Sequence, residues 1–150
     1  MGNNSQKIGV AQKAILFDKG GKILTIRRSA TAPSNPLCWD LPGGDVDFGE
    51  DAKESIIREI KEETGLEVND LRVLDVISGF NDKDEFWVTI CYAAQPTTAG
   101  VKLSYEHDDF KWVTPEEFKQ LEVSPRNKKF VEMFDFRRKH GFAPMDLNAK

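Results

Sequence analysis

The chain has 150 residues, of which 39% are hydrophobic and 31% are charged, a composition typical of one globular domain and not of a fibrous or low-complexity protein. Its net charge of −4 argues against a general nucleic-acid binder, because such proteins carry a basic surface. The most apolar run, residues 88–94, is too short to cross a bilayer, and the N-terminus lacks a signal-peptide pattern. We therefore expect a cytoplasmic protein with no membrane partner.

The first half of the chain predicts two strands, a loop and a helix. Apolar residues at 10–17 and 23–28 flank a Gly20-Gly21 pair, which predicts a β-hairpin. Two prolines and several small polar residues predict a loop over residues 29–40, long enough to act as a lid. After a tight turn or short strand, a helix should run from about residue 50 to residue 64, with Gly65 as its C-cap.

The second half adds strands and two capped helices. Strands are predicted over residues 71–80, 86–94 and 110–113. Thr114-Pro115 and Ser124-Pro125 each have the pattern of a helix start, and the second helix should end near residue 140. We expect residues 1–8 to form a disordered leader and residues 9–145 to form one domain of mixed α/β structure.

Three carboxylates fall within one turn of the first predicted helix. Because each residue advances a helix by roughly 100°, Glu59, Glu62 and Glu63 share an arc of about 100°. This arc borders the apolar face of Ile56 and Ile60, so the acids do not lie on the open side of the helix. Neighbouring carboxylates about 5–6 Å apart repel by roughly 3 kcal/mol at an effective dielectric near 20. Either raised pKa values or a bound cation would relieve the repulsion, and oxygen ligands suit Mg²⁺ or Mn²⁺.

An acidic helix face that is merely solvated is the alternative interpretation, and the surrounding pattern argues against it. Arg58 lies one helical turn from Glu54 and from Glu62, so it can pair with both and hold ligand carboxylates in place. Gly44, five residues, Glu50, seven residues and then REIKEETGL match the signature GX5EX7REUXEEXGU at every fixed position, where U is a bulky aliphatic residue.

This signature is that of the Nudix hydrolases, so the chain resembles that family, and the WDLPGG segment and small size resemble its MutT-like branch. The resemblance implies an α/β/α sandwich around a mixed β-sheet, with the signature forming a loop–helix–loop. Family members hydrolyse a nucleoside diphosphate linked to another group, and divalent metal neutralises the charge that develops on the phosphates.

The resemblance also implies roles for individual residues. The metal ligands would be Glu50, Glu59, Glu62 and Glu63. Either Glu59 or Glu62 would be the base that deprotonates the attacking water, with Arg58 in support. Among the acids outside the signature that could add to catalysis, Glu106 is preferred to Asp108 and Asp109. His107 is interpreted as a surface histidine without a role, in preference to a base.

Contacts to substrate are predicted in two places. Gly43 and Gly44 would let the backbone pass closely beneath the phosphates, where a side chain would obstruct. Arg27 and Arg28 end the second strand, and one of them could bind phosphate, although a solvated strand end is an equal alternative. Four aromatic side chains could stack on a base, although core packing is the preferred interpretation of each one: Trp39, Phe80, Phe86 and Trp87.

We therefore predict a metal-dependent pyrophosphohydrolase that releases pyrophosphate from a nucleoside triphosphate, oxidised triphosphates included. Sugar nucleotides, dinucleoside polyphosphates and dihydroneopterin triphosphate remain alternative substrates. A non-catalytic nucleotide-binding or sensing module on the same fold is the alternative function, and the complete set of acids argues against it. Homodimers are common in the family, and no nucleic-acid partner is expected.

Overall fold

The computed structural model describes residues 6–141, which form seven strands and three helices. The strands are β1 (Ile8–Leu16), β2 (Ile23–Arg28), β3 (Trp39–Asp40), β4 (Gly43–Asp45), β5 (Arg72–Phe80), β6 (Phe86–Ala94) and β7 (His107–Val113). The helices are α1 (Ala52–Thr64), α2 (Pro115–Gln120) and α3 (Pro125–His140). Since β1 begins at Ile8, the last residue of the predicted leader belongs to the sheet. Residues 1–5 and 142–145 lie outside the described range, so the outer limits of the predicted domain stay predictions.

The strands form two sheets. The first has the order β4-β1-β6-β5, in which β1 and β6 are parallel and the other pairs are antiparallel. The second has the order β3-β2-β7 and is antiparallel throughout. The mixed sheet that the family resemblance implied is therefore present.

The predicted hairpin of β1 and β2 is wrong. The turn itself forms, with Gly21 at a φ of 84° and a single bridge between Phe17 and Ile23. Beyond that bridge the two strands separate, β1 to pair with β4 and β6 and β2 to pair with β3 and β7. Turn chemistry is local, whereas strand pairing depends on the partners that bury each face.

Helices cover both faces of the sheets, as in an α/β/α sandwich. Alternate side chains of β1 point to opposite faces. Ile15 packs with Phe130 and Phe134 of α3, while Leu16 belongs to the cluster around Ile56 of α1. All of these residues are fully buried, so the chain has one hydrophobic core on each side of β1.

Helix α1 has clear boundaries. Asp51 is its N-cap and accepts a hydrogen bond of 2.9 Å from the Glu54 N–H. Gly65 ends it in the left-handed region at a φ of 73°, and its N–H donates to the Lys61 carbonyl. The C-cap is thus confirmed, and the helix starts two residues later than predicted because Asp51 and not Glu50 caps it.

The last two helices also begin at the predicted caps. Thr114 forms a capping box with Glu117, and Ser124 caps α3. The seventh strand starts at His107, three residues before its predicted start, and the last two residues of the predicted loop pair with β2 as β3. Within residues 6–141, the helices lack the length and apolar character needed to cross a membrane.

Candidate active site

Two glycines of β4 bring the backbone close to the acidic helix. A Cβ at Gly43 would lie 2.0 Å from the backbone carbonyl oxygen of Gln12, so only glycine fits against β1 at that position. The Gly43 N–H donates a hydrogen bond of 2.9 Å to Oε1 of Glu63. A Cβ at Gly44 would lie 2.9 Å from Cδ of Glu59. The glycine turn therefore fits closely against two of the predicted metal ligands.

Burial distinguishes the three carboxylates of the helix. Glu63 is buried and 7% exposed, whereas the side chain of Glu59 is 21% exposed and that of Glu62 is 55% exposed. Burial raises the pKa of Glu63 to about 8. Burial also raises the pKa of Glu59, an effect that Arg58 opposes and that Glu62 reinforces. The helix thus carries acids on the border of its apolar face, as the periodicity predicted, with Glu62 furthest toward solvent.

Arg58 lies at the centre of the remaining acids. Its guanidinium is 3.0 Å from Glu50, 3.2 Å from Glu62 and 3.5 Å from Glu59. Within residues 6–141 its ion pairs join it to Glu50 and not to Glu54, which differs from the predicted pairing. Glu50 also accepts a hydrogen bond of 2.8 Å from the Asp47 N–H, and this bond together with Arg58 lowers its pKa. Three carboxylates therefore converge on one positive group.

The donor set fits a hard divalent cation. In the described part of the chain, no three His, Cys, Asp or Glu side chains already surround a single ion position. The oxygens of Glu50, Glu59 and Glu62 nevertheless gather within 3.5 Å of the charge on Arg58. Carboxylate oxygens without sulfur or imidazole are the ligands that Mg²⁺ and Mn²⁺ take.

A buried charged cluster, which was not predicted from the sequence, lies behind the glycine turn. Lys13 Nζ is 3.0 Å from Asp40, and their side chains are only 12% and 14% exposed. Asn127 Nδ2 donates to Asp40 at 2.8 Å, and the Leu41 N–H donates to the same oxygen. Burial alone would raise the pKa of Asp40, but Lys13 and these donors hold it below its usual range. The sequence feature that could have predicted this cluster is Lys13, a charged residue inside the apolar strand β1.

The two arginines at the end of β2 have different surroundings. Arg27 Nε donates to Asp108 at 2.8 Å, and its guanidinium lies 5.8 Å from the Trp39 ring centroid. Arg28 Nε donates to the Ser34 carbonyl at 2.8 Å, and its guanidinium is 3.9 Å from Asp40. Arg28 thus faces the buried cluster behind the glycine turn, while Arg27 is engaged by an acid of β7.

The segment before β7 contributes one acid to the site. Glu106 is exposed and close enough to Glu59 for its charge to act on the pKa of that carboxyl. Asp108 pairs with Arg27, and Asp109 accepts from the Phe110 N–H. A catalytic role for Glu106 stays a prediction.

His107 was interpreted as a surface residue, and that interpretation is wrong. The side chain is buried and 7% exposed, because β7 begins at this residue and carries it inward. Burial lowers its pKa to about 4, with Lys13 and Arg28 acting in the same direction and Asp40 opposing them. His107 is therefore neutral at physiological pH.

A cavity of about 740 Å³ adjoins the glycine turn. Asp45, which follows Gly44 directly, lies in its wall, and Ser34 and Asn35 of the predicted lid loop contribute to it. Of the four aromatic candidates, Trp87 and Phe80 also line this cavity. Phe86 contacts the Phe80 ring at 5.1 Å between centroids, and Trp39 is buried beneath Arg27 and Lys111.

Known proteins resemble this chain over most of its length. The family model described as NUDIX domain matches residues 7–134. The CTP pyrophosphohydrolase of Escherichia coli (strain K12) is 27% identical over 122 residues, which are 81% of this chain and 87% of that protein.

Solved structures show the same fold. The MutT protein from Methanosarcina mazei Go1 has a TM-score of 0.77 at 30% identity and covers 90% of this chain and 98% of its own. The MutT NUDIX hydrolase from Burkholderia pseudomallei has a TM-score of 0.74 at 27% identity, and the match covers 85% of this chain and 98% of that chain. As the glycine turn and the acidic helix predicted, the chain belongs to the Nudix hydrolase family.

Proposed function

We propose that the chain is a metal-dependent pyrophosphohydrolase that cleaves a nucleoside triphosphate, oxidised triphosphates included, to the monophosphate and pyrophosphate. The observation that carries the proposal is the convergence of Glu50, Glu59 and Glu62 on Arg58, next to a glycine turn and a cavity large enough for a nucleoside. The activity named for the E. coli relative, a CTP pyrophosphohydrolase, is of the same class.

The acids supply the chemistry of the site. The carboxylates of Glu50, Glu59, Glu62 and Glu63 would hold Mg²⁺ or Mn²⁺, whose charge neutralises the diphosphate and the departing phosphate oxygens. Arg58 keeps three of these acids together through contacts of 3.0 to 3.5 Å. Because the Gly43 N–H donates to Glu63, α1 and the glycine turn stay at a fixed separation.

In this proposal Glu59 is the base that accepts a proton from the attacking water. The sequence left Glu59 and Glu62 as alternatives for the base. Glu59 is the more enclosed of the two and lies against Gly44, beneath the expected phosphates, while Glu62 is more than half exposed and paired with Arg58. Glu106 adds a second negative charge near Glu59, which strengthens its ability to accept a proton from water.

The remaining residues position the substrate. A Cβ at Gly43 would meet Gln12 and a Cβ at Gly44 would meet Glu59, so the two glycines bring the backbone close to β1 and α1, beneath the expected phosphates. Arg28, at the edge of the lid loop, is the arginine proposed to contact phosphate. Arg27 is held by Asp108 and is given no phosphate contact in the proposal. A nucleoside in the cavity beside Asp45 would then have its phosphates over the glycine turn.

A substrate panel tests the proposal. Nucleoside triphosphates, oxidised purine triphosphates, sugar nucleotides and dinucleoside polyphosphates would be incubated with Mg²⁺, with and without chelator. Pyrophosphate and inorganic phosphate would be separated. We expect chelator-sensitive release of pyrophosphate from a triphosphate. Turnover of only sugar nucleotides or only dinucleoside polyphosphates would show that the proposed triphosphate substrate is wrong. Tight nucleotide binding without turnover in Mg²⁺ or Mn²⁺ would favour the sensing module.

Matched variants test the ligand set. Glu62→Gln and Glu63→Gln should each lower turnover by about a hundredfold or more, and Mg²⁺ should no longer raise their Tm. Glu54→Gln removes an exposed acid of the same helix and should behave as wild type. Full Mg²⁺-dependent activity in both Glu62→Gln and Glu63→Gln would refute the proposed metal site.

A further inference from the structure

Helix α1 covers only part of the sheet face that it packs against. Its residue Ile56 shares a buried cluster with Ala14 of β1 and Tyr92 of β6. The helix begins at Ala52, whose carbonyl accepts a hydrogen bond of 3.0 Å from Nε2 of Gln12. The sheet face continues past Gln12 toward the start of β1, and the exposure of its residues shows that α1 does not extend over this part.

Three rows of side chains form the uncovered part, which we call the apolar face. Since alternate side chains of a strand point to the same face, the register groups them into rows of directly paired residues. Seven of the nine residues are apolar and none is charged. The rows are Ile8 with Phe86 and Phe80, Val10 with Val88 and Ser78, and Gln12 with Ile90 and Val76.

The apolar face is open to solvent. Ile8 is 62% exposed, Val76 is 51% exposed and Phe80 is 72% exposed. The other four apolar residues are half-buried. Together the seven residues expose on the order of 500 Å², which is as large as the largest apolar patch on a typical monomer and indicates an interaction site.

The surroundings of the apolar face disfavour an added strand and a lipid surface. The outer strand β5 has a register shift between Val73 and Asp75, and such a bulge interrupts the ladder that an added strand needs. The turn between β5 and β6, at residues 81–85, carries three acids and one lysine. An anionic membrane surface would repel this acidic turn.

A second copy of the chain fits the apolar face. Two uncharged faces can pack on each other at about 10 Å without burying an unpaired charge. A helix is itself about 10–12 Å in diameter, so the α1 helices of two copies cannot lie between the sheets at the same end. The two-fold axis must therefore run across the strands, and the acidic turn of each copy then lies beside α1 of the other copy.

The charges at the rim of the apolar face agree with this arrangement. Lys53, in the first turn of α1, is exposed and forms no ion pair among residues 6–141. Across the two-fold axis, Lys53 of each copy meets Asp82, Asp84 and Glu85 in the acidic turn of the other copy. A standard interface buries about 800 Å² per partner, so the apolar face supplies the centre and the charged rim supplies the rest.

We propose that the apolar face is the interface of a homodimer in which β1, β5 and β6 of two copies pack face to face. The proposal concerns assembly and does not rest on the proposed function. Size-exclusion chromatography of the full chain with light scattering, over a series of concentrations, measures the mass. We expect twice the mass of one chain at high concentration, with a decrease toward a single chain on dilution.

Substitutions that add a charge test which surface forms the dimer. Val76→Glu and Ile8→Glu each place a carboxylate in the proposed interface, where it would be buried without a partner, so each should weaken the dimer at least about tenfold. Phe136→Glu makes the same change at a residue of α3 that is 58% exposed, and this variant should dimerise as wild type does. The melting temperature of each variant, measured alongside, shows that it is folded.

Reversal of charge tests the direction of the two-fold axis. Lys53→Glu should weaken the dimer by about tenfold, because the new carboxylate faces the acidic turn of the other copy. Addition of Asp82→Lys to that variant should restore the wild-type affinity. If the double variant dimerises as weakly as Lys53→Glu, the proposed arrangement of the two copies is wrong.

Three results would overturn the inference. Wild type with the mass of one chain at every concentration would refute the homodimer. Dimers that persist in both Val76→Glu and Ile8→Glu, or that Phe136→Glu weakens as strongly, would refute this interface. A monomer that binds phosphatidylserine vesicles, through a contact that Val76→Glu abolishes, would show that the apolar face meets lipid instead.

Discussion

The carboxyl group of Glu63 accepts a hydrogen bond of 2.9 Å from the Gly43 N–H, and this contact joins α1 to β4. Burial raises the pKa of Glu63 to about 8, with Glu59 and Asp40 reinforcing the effect and Lys13 and the Gly43 N–H reducing it. In the metal-free protein Glu63 therefore holds a proton at neutral pH. If Glu63 is a metal ligand, as proposed, it must be ionised, so metal binding would release that proton and strengthen as pH rises.

The first prediction concerns the stability of the metal-free protein. The folded pKa of Glu63, about 8, exceeds its ordinary value of 4.5, so the folded state keeps a proton that the unfolded chain releases. The stabilisation that protonated Glu63 gives the folded state is fully present below about pH 4.5 and is lost as pH rises through about 8. Its size is about 1.4 kcal/mol for each unit by which the folded pKa exceeds the unfolded pKa. We expect urea unfolding of the metal-free protein, measured in chelator, to show that Glu63→Gln no longer loses this unfolding free energy as pH rises.

The comparison needs a control on the same helix. Glu54→Gln changes an exposed acid and should lose stability with rising pH as wild type does. If Glu63→Gln and wild type have the same dependence of unfolding free energy on pH, Glu63 is ionised in the folded protein, and our account of its burial is wrong.

The second prediction separates the two glycines. Gly44→Ala places a methyl group 2.9 Å from Cδ of Glu59, a flexible side chain that can move, so the fold should persist while turnover falls by about tenfold or more. Gly43→Ala places it 2.0 Å from the backbone of Gln12, which cannot move, and should destabilise by more than about 2 kcal/mol. Thermal melts and initial rates of both variants measure the difference. Equal melting temperatures would contradict the prediction.

The third prediction concerns the buried pair of Lys13 and Asp40. Lys13→Met leaves Asp40 buried with its main positive partner removed and should destabilise the protein by about 3–5 kcal/mol. The double variant Lys13→Met with Asp40→Asn should recover much of that loss, because no uncompensated charge remains. A double-mutant cycle by urea unfolding gives the coupling energy. Additive effects would show that the two groups do not interact.

The fourth prediction concerns acid sensitivity. The pKa of buried His107 is about 4, below its ordinary value of 6.5, so the unfolded state takes up a proton first as pH falls. The stability associated with the neutral imidazole is fully present above about pH 6.5 and is lost as pH falls toward 4. His107→Gln should therefore lose less unfolding free energy than wild type between about pH 7 and pH 5. His140→Gln, at the exposed end of α3, should match wild type, and a loss in His107→Gln equal to that of wild type would contradict the prediction.

The parts of the site that were predictable are local in sequence. Glu59, Glu62 and Glu63 lie within one turn of α1, so the helical repeat alone brings them together. The caps Gly65, Thr114 and Ser124 act on backbone groups within four residues, and the structure confirms all three. Hydrogen bonds between near neighbours in the chain can be predicted without the tertiary structure.

Other features depended on segments distant in the chain. The cluster of Lys13, Asp40 and Asn127 draws on β1, β3 and α3, and Arg126 meets Thr89 across 37 residues. The burial of His107 follows from where β7 begins.

The sequence by itself determined the acidic helix, the glycine turn and the family they indicate, because each depends on residues close together in the chain. Only the tertiary structure decided that β1 and β2 enter different sheets, that Arg28 and not Arg27 faces the buried cluster, and that Trp87 and Arg126 share a cavity. The physical reason is that local sequence sets backbone conformation and periodicity, whereas strand partners, burial and cavity walls result from which distant surfaces exclude water together.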